Sequence, residues 1–171
     1  KYIGYSNLGT IEFLLSEDGE VYFIEMNTRL QVEHGITEMV TGIDMVELQI
    51  RIAFGEKLPF TQKDIKSKGH ACELRINAEN PETFLPSVGK IKNLHIPKEE
   101  HVRFDSAIYK GYTITPFYDS LIAKLMVWGR DRTACLHRLQ STLKELEISG
   151  IVSNMPTLEN IIHNPVFLSG M

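Results

Sequence analysis

Cysteine is nearly absent from the 171 residues: Cys72 and Cys135 are the only two, and they stand far apart without metal-type spacing. Both sit in apolar patterns, which predicts buried thiols. No apolar run approaches the roughly 20 residues of a membrane helix, and the opening Lys1-Tyr2-Ile3-Gly4 has no signal-peptide character. The expectation is a cytoplasmic protein without membrane contact. Positive charge is not in excess either: a formal net charge of −4 argues against a nucleic-acid partner. There is no internal repeat, no low-complexity tract, and no glycine-rich phosphate loop leading into a helix. The chain also begins without Met, and is read as a fragment of a longer protein.

What is present is an ordinary globular composition, 43% hydrophobic and 23% charged, long enough for two small domains. After Leu58-Pro59-Phe60 a polar run over residues 61–68 marks a surface connection, and the expected domains are residues 1–67 and 68–171. In the first, Thr10-Ile11-Glu12-Phe13-Leu14-Leu15 and the run from Phe23 read as strands about Glu17-Asp18-Gly19-Glu20, where Asp-Gly signals a two-residue primed turn. That turn sets Leu15 against Tyr22, Phe13 against Ile24 and Glu12 against Glu25. Opposed acids need a compensating cation or a solvated face. Asn27 shares the face of Glu25, so Glu12, Glu25 and Asn27 form an oxygen set suited to Mg²⁺ or Mn²⁺, with nucleotide phosphates supplying further ligands. If the chain stays extended, Arg29, Gln31 and Glu33 continue the row as anion clamp, amide and base. The bland alternative is an amphipathic hairpin with a wet polar face.

Further along, residues 37–41 read as a helical turn before Gly42. Asp44 and Glu47 form a capping box for a helix with Val46, Ile50 and Ala53 on its core face and Gly55 as its stop. In the second domain, residues 70–77 alternate cleanly: Cys72, Leu74 and Ile76 on one face, Glu73, Arg75 and Asn77 on the other. More strands are expected over residues 90–95, 102–106 and 121–128, in an antiparallel sheet. Asp131 caps a helix carrying the stripe Leu136, Leu139, Leu143 and Leu146 as far as Gly150. Pro156 opens a shorter helix that Asn164-Pro165 ends. Taken by itself, Arg75 reads as a solvated arginine or a partner of Glu73. His34 and His70 read as satisfied polar histidines, Lys124 as solvated, and Asp119 as a strand cap or as the support of an active-site arginine.

The block Phe23-Ile24-Glu25-Met26-Asn27-Thr28-Arg29-Leu30-Gln31-Val32-Glu33-His34 closely resembles a signature of biotin carboxylases, ATP-grasp enzymes that carboxylate biotin. Arg75-Ile76-Asn77-Ala78-Glu79-Asn80-Pro81 with Phe84-Leu85-Pro86-Ser87, and Pro116-Phe117-Tyr118-Asp119-Ser120 onward, resemble two more, so the likeness covers nearly the whole chain. The resemblance implies an α+β chain: the C-terminal part of an ATP-grasp domain, then the biotin carboxylase C-terminal domain, an antiparallel sheet with packed helices. It implies Mg²⁺ or Mn²⁺ on Glu12, Glu25 and Asn27, with ATP and bicarbonate as substrates and carrier-linked biotin as acceptor. Arg29, Gln31 and the Val32 amide would bind bicarbonate, Glu33 would take its proton, Arg75 would stabilise the biotin enolate, and Leu14 would touch the adenine alongside Glu12 and Glu25 at the nucleotide. Implied partners are a biotin carboxyl carrier protein or domain, a carboxyltransferase that selects the final acceptor, the missing N-terminal part of the same enzyme, and a second copy in a homodimer. Lacking the nucleotide lid, the fragment is expected to be inactive alone. Gly35 and Val88 depart from the family's usual prolines, away from the proposed chemistry. Two other readings compete: another ATP-grasp ligase, such as a carbamoyl-phosphate-forming enzyme, and a non-catalytic dimerisation or carrier-docking module.

Overall fold

The computed structural model describes residues 2–170 and divides into two compact units, Lys1–Ser67 and Lys68–Met171. In the first, β1 (Thr10–Leu15) and β2 (Val21–Asn27) form an antiparallel hairpin, followed by α1 (His34–Thr41) and α2 (Met45–Ala53). The hairpin is not closed by a two-residue turn. Ser16 and Glu20 close it instead, through Ser16 N–H to Glu20 O at 3.0 Å, around the three-residue loop Glu17, Asp18 and Gly19. Gly19 has a φ of +86°, the left-handed conformation that three-residue hairpin loops require. The Ser16 hydroxyl bonds the Asp18 carboxylate, a contact that holds this carboxyl below its ordinary range.

The extra loop residue shifts the register. Leu15 faces Val21, not Tyr22, and Phe13 faces Phe23, not Ile24. A β-bulge at Ile24 then shifts it back, so Glu12 does meet Glu25 and Thr10 meets Asn27. Nor is the hairpin amphipathic: Ile11, Phe13, Leu14, Leu15, Val21, Tyr22, Phe23 and Ile24 lie on both faces, each between 49% and 68% exposed.

The Asp44 carboxylate caps α2 by accepting from Glu47 N–H at 2.7 Å, while the Glu47 side chain turns to Arg51 and leaves the capping box half-made. The buried Glu38 carboxylate accepts from Met45 N–H at 2.7 Å, placing negative charge at the positive end of α2. The core face of α2 is not the expected one. Val46, Ile50 and Ala53 are exposed; Met45, Leu48 and Ile52 are half-buried and line an apolar cavity of about 260 Å³ with Ile43 and Phe60.

The second unit is α+β. Its sheet has the order β3 (His70–Asn77), β8 (Leu121–Gly129), β6 (Val102–Ser106), antiparallel throughout. Residues 90–95 do not make one strand: β4 (Gly89–Lys90) pairs with β7 (Thr113–Ile114), and β5 (Asn93–His95) with β9 (Glu147–Ser149). α3 (Arg132–Glu145) is capped by Asp131, whose carboxylate accepts from Ala134 N–H at 2.8 Å. It stops at Leu146, before Gly150, because β9 intervenes. α4 (Met155–His163) ends at Asn164, but Pro165 also opens α5 (Pro165–Ser169), as a first-turn proline allows.

Leu74 and Ile76 of β3, Leu125 and Val127 of β8, and Leu136, Leu139, Leu143 and Leu146 are buried in one core between the sheet and its helices. At the end of β8, Gly129 meets the start of α3 so closely that a Cβ there would lie 2.3 Å from Cys135 N. Cys135 is buried and its thiol is pushed up to about 11, mainly by desolvation; half-buried Cys72 is raised for the same reason. Among the described residues, no helix is long and apolar enough to cross a membrane.

Candidate functional site

Across the hairpin, the opposed acids are joined by an amide. Asn27 Nδ2 donates to Glu12 Oε1 at 2.9 Å and to Glu25 Oε1 at 3.0 Å. A second amide, Gln31 Nε2, donates to the same Glu12 oxygen at 3.1 Å. The like charges that a cross-strand pair must otherwise bear are thus offset by N–H groups directed between them. Arg29 completes the group, with Nη2 donating to Asn27 Oδ1 at 3.4 Å and Nη1 to Leu30 O at 3.2 Å. Glu12, Asn27 and Gln31 are half-buried, whereas Glu25 and Arg29 are exposed.

Gln31 reaches Glu12 because the chain does not stay extended. β2 ends at Asn27, and a turn follows in which His34 N–H donates to Gln31 O at 3.4 Å. Four further extended residues would carry position 31 roughly 13 Å beyond Asn27; the turn folds it back instead. Arg29, Gln31 and Glu33 therefore do not continue a strand row. Glu33 occupies the N-cap position of α1, exposed and without a capping bond from its side chain. Gln31 and Glu33 open onto one cleft of about 210 Å³, together with Thr10, Thr37, His34 and Met45. Val32 is half-buried in the same turn, and Leu14 is 58% exposed on β1.

His34, which reads from sequence only as a satisfied polar histidine, has a positioning role. Its Nδ1 lies 2.8 Å from Gln31 O, so the ring fastens the turn that positions the Gln31 amide. The separation of three from Gln31 was the available signal, since that spacing closes a turn.

The donor chemistry fits a hard divalent cation. Glu12 and Glu25 each have an oxygen within 3.0 Å of one Asn27 atom, so a single centre between them is within reach of both carboxylates and the amide. Among the described residues no cluster of three or more His, Cys, Asp or Glu side chains forms, so the candidate set is two acids plus the amide oxygen that Asn27 presents when its side chain turns over. Three protein oxygens suit magnesium, which keeps its remaining positions for waters and phosphate oxygens.

In the second unit, Arg75 lies on the polar face of β3, half-exposed, with Nε 3.6 Å from Oε1 of the enclosed Glu73 carboxylate. Lys124 is not solvated. Its side chain is 12% exposed and pairs with Asp105 at 3.4 Å, while Arg103 grips the same carboxylate at 2.7 and 2.8 Å. Partial burial raises the Asp105 carboxyl, but Arg103 and Lys124 together outweigh it and leave it below its ordinary value. Asp119 acts as a strand cap, accepting from Leu121 N–H at 2.8 Å.

Residues 73–171 match the family model of the biotin carboxylase C-terminal domain, and residues 1–61 that of the carbamoyl-phosphate synthase L chain ATP-binding domain. The chain is 55% identical to the biotin carboxylase of Haemophilus influenzae over 98% of its length and 37% of that protein's. To the biotin carboxylase of Halalkalibacterium halodurans it is 51% identical, over 99% of the chain and 38% of the relative. Among solved structures, the biotin carboxylase domain dimer of Hydrogenobacter thermophilus 2-oxoglutarate carboxylase, in complex with MgADP, ADP and bicarbonate, superposes with a TM-score of 0.95 at 49% identity, covering 99% of this chain and 38% of that one. The Campylobacter jejuni biotin carboxylase in complex with β-γ-ATP gives 0.92 at 46%, over 98% and 37%. The chain thus spans a little over a third of the length of the relatives it matches.

Proposed function

The chain belongs to the biotin carboxylase family, and on that premise we propose that it supplies the metal, bicarbonate and biotin-facing residues of an enzyme that uses ATP and bicarbonate to carboxylate carrier-linked biotin. The observation that carries this reading is the convergence of Glu12, Glu25 and Asn27 beside Gln31 and Arg29. Glu12, Glu25 and Asn27 would hold Mg²⁺ or Mn²⁺. When bound, the cation neutralises charge on the phosphates as bicarbonate attacks the terminal phosphorus.

The chain's own residues do the rest. Arg29 holds the bicarbonate oxygens, with the Gln31 amide and the Val32 N–H as further donors. Glu33, exposed at the head of α1 and lining the cleft it shares with Gln31, takes the bicarbonate proton. Arg75 is a permanent cation for the negative charge that develops on the biotin ureido oxygen, with Glu73 fixing the direction of its guanidinium. Leu14 offers an apolar surface to the adenine. The activity belongs to the cytoplasm and to an assembly with a carrier protein or domain, a carboxyltransferase, the remainder of the same enzyme and a second copy.

The acidic set alone suits a carbamoyl-phosphate-forming enzyme equally, and residues 1–61 match the ATP-binding domain of the carbamoyl-phosphate synthase L chain. What favours biotin is the match over residues 73–171, the region that contains Arg75. Glu33→Gln in the intact enzyme tests the base assignment. Bicarbonate-dependent ATP cleavage should fall about 100- to 10,000-fold, the usual contribution of a general base, while nucleotide binding is retained. Wild-type turnover in that variant would refute it.

A further inference from the structure

One oxygen, Glu12 Oε1, accepts from two amides that the proposed reaction needs elsewhere. Asn27 Nδ2 and Gln31 Nε2 both donate to it, at 2.9 and 3.1 Å, and Arg29 Nη2 is held by Asn27 Oδ1 at 3.4 Å. We propose that this junction couples the cation site to the anion site, so that divalent metal and bicarbonate each strengthen the binding of the other. The inference rests on the metal and bicarbonate assignments made above.

The physical basis is competition for the same polar atoms. A cation between Glu12 and Glu25 repels N–H groups and needs oxygen donors. Asn27 therefore turns its amide over, which withdraws Oδ1 from Arg29 and presents it to the metal. The Gln31 N–H loses its acceptor at Glu12 for the same reason. Both changes release donors, one guanidinium and one amide, on the side of the cleft where bicarbonate is to be held. In reverse, an anion that takes the Gln31 and Arg29 donors leaves Glu12 less well compensated and more receptive to a cation. The His34 ring, fastened to Gln31 O at 2.8 Å, keeps position 31 within reach of either partner, so the side chain can switch without the backbone leaving the site.

Linkage makes the effect reciprocal, so it can be read from the metal side alone. In the intact enzyme, without nucleotide, the dissociation constant of Mn²⁺ is measured by electron paramagnetic resonance with and without saturating bicarbonate. Wild type should bind Mn²⁺ about 5- to 20-fold more tightly in bicarbonate, within the usual range of site-to-site coupling. Gln31→Met keeps the length of the side chain and removes its donor. It should bind Mn²⁺ at least as tightly as wild type when bicarbonate is absent, because one competing N–H is gone, and should respond to bicarbonate less than wild type does, since only the Asn27–Arg29 route remains; a response equal to that of wild type would overturn the part given to Gln31. A merely structural role for Gln31 predicts weaker metal binding instead.

Mn²⁺ that binds wild type, is lost in Glu12→Gln and ignores bicarbonate would overturn the coupling and leave the metal reading standing. Mn²⁺ that binds wild type and Glu12→Gln alike would overturn the metal reading and the coupling with it.

Discussion

Asn27→Asp tests the compensation at the hairpin most directly. The substitution is isosteric, so the backbone and the register of β1 and β2 are undisturbed. It replaces the donor that lies 2.9 Å from Glu12 and 3.0 Å from Glu25 with a third carboxylate. Two unit charges at this separation repel by about 1.4 kcal/mol even in a water-like dielectric, and each lost hydrogen bond adds about 1 kcal/mol. The two contacts together set a ceiling of about 5 kcal/mol. Glu25 is exposed and can swing away, so the half-buried Glu12 contact dominates and the expected local cost is about 2 kcal/mol. Hydrogen exchange read by mass spectrometry on peptides covering residues 10–27 reports that local stability. In chelator, amides of the variant should exchange about 30-fold faster than wild type, at 1.36 kcal/mol per tenfold. Mn²⁺ at a fixed concentration about a hundredfold above the wild-type dissociation constant returns about 2.7 kcal/mol to wild type and should slow the variant by more than that, since the new carboxylate is a better ligand than the amide and lowers the dissociation constant. Wild-type exchange in chelator would show that the N–H groups of Asn27 are not what holds the two acids together, and an equal response to metal would remove position 27 from the proposed ligand set.

Two further predictions concern the second unit. Gly129→Ala places a methyl group 2.3 Å from Cys135 N and 2.7 Å from its Cα, backbone atoms that can move only with α3; a loss of about 3 kcal/mol or more in urea unfolding is expected, and a wild-type midpoint would contradict that close approach. Asp105 has a carboxyl held below its ordinary value of 3.8, so its contribution to stability is fully present above that pH and is lost as pH falls through the lowered value. The stability gap between wild type and Asp105→Asn should therefore narrow in acid below pH 3.8; a gap that widens there would reverse the sign of the argument.

Long periodic elements were legible in the sequence, and short or two-sided ones were not. The four leucines of α3 and its C-cap repeat at helical spacing, and all four are buried. α2 carries two apolar stripes, Val46-Ile50-Ala53 and Met45-Leu48-Ile52, and periodicity cannot say which of two similar stripes is covered. β4, β7 and β9 are two or three residues long, too short for an alternation to register. Pro165 was legible as a stop, yet the residue that ends one helix has the φ that starts another. At the site, the opposition of Glu12 and Glu25 was expected from a turn that does not form, and it is met because a longer loop and a bulge offset each other. The position of Gln31 was missed because alternating polar residues look the same whether the strand continues or turns.

That offset bears on which changes the hairpin tolerates. Twelve residues separate Glu12 from Glu25, and an antiparallel ladder can bring them face to face with an even-numbered turn, or with an odd-numbered turn and one bulge. Ile24 thus acts as slack in the strand: losing one turn residue can be absorbed by straightening the bulge, with the two acids still opposed. The turn is free to drift in length by one residue because the adjustment is made beside the two opposed acids rather than by them.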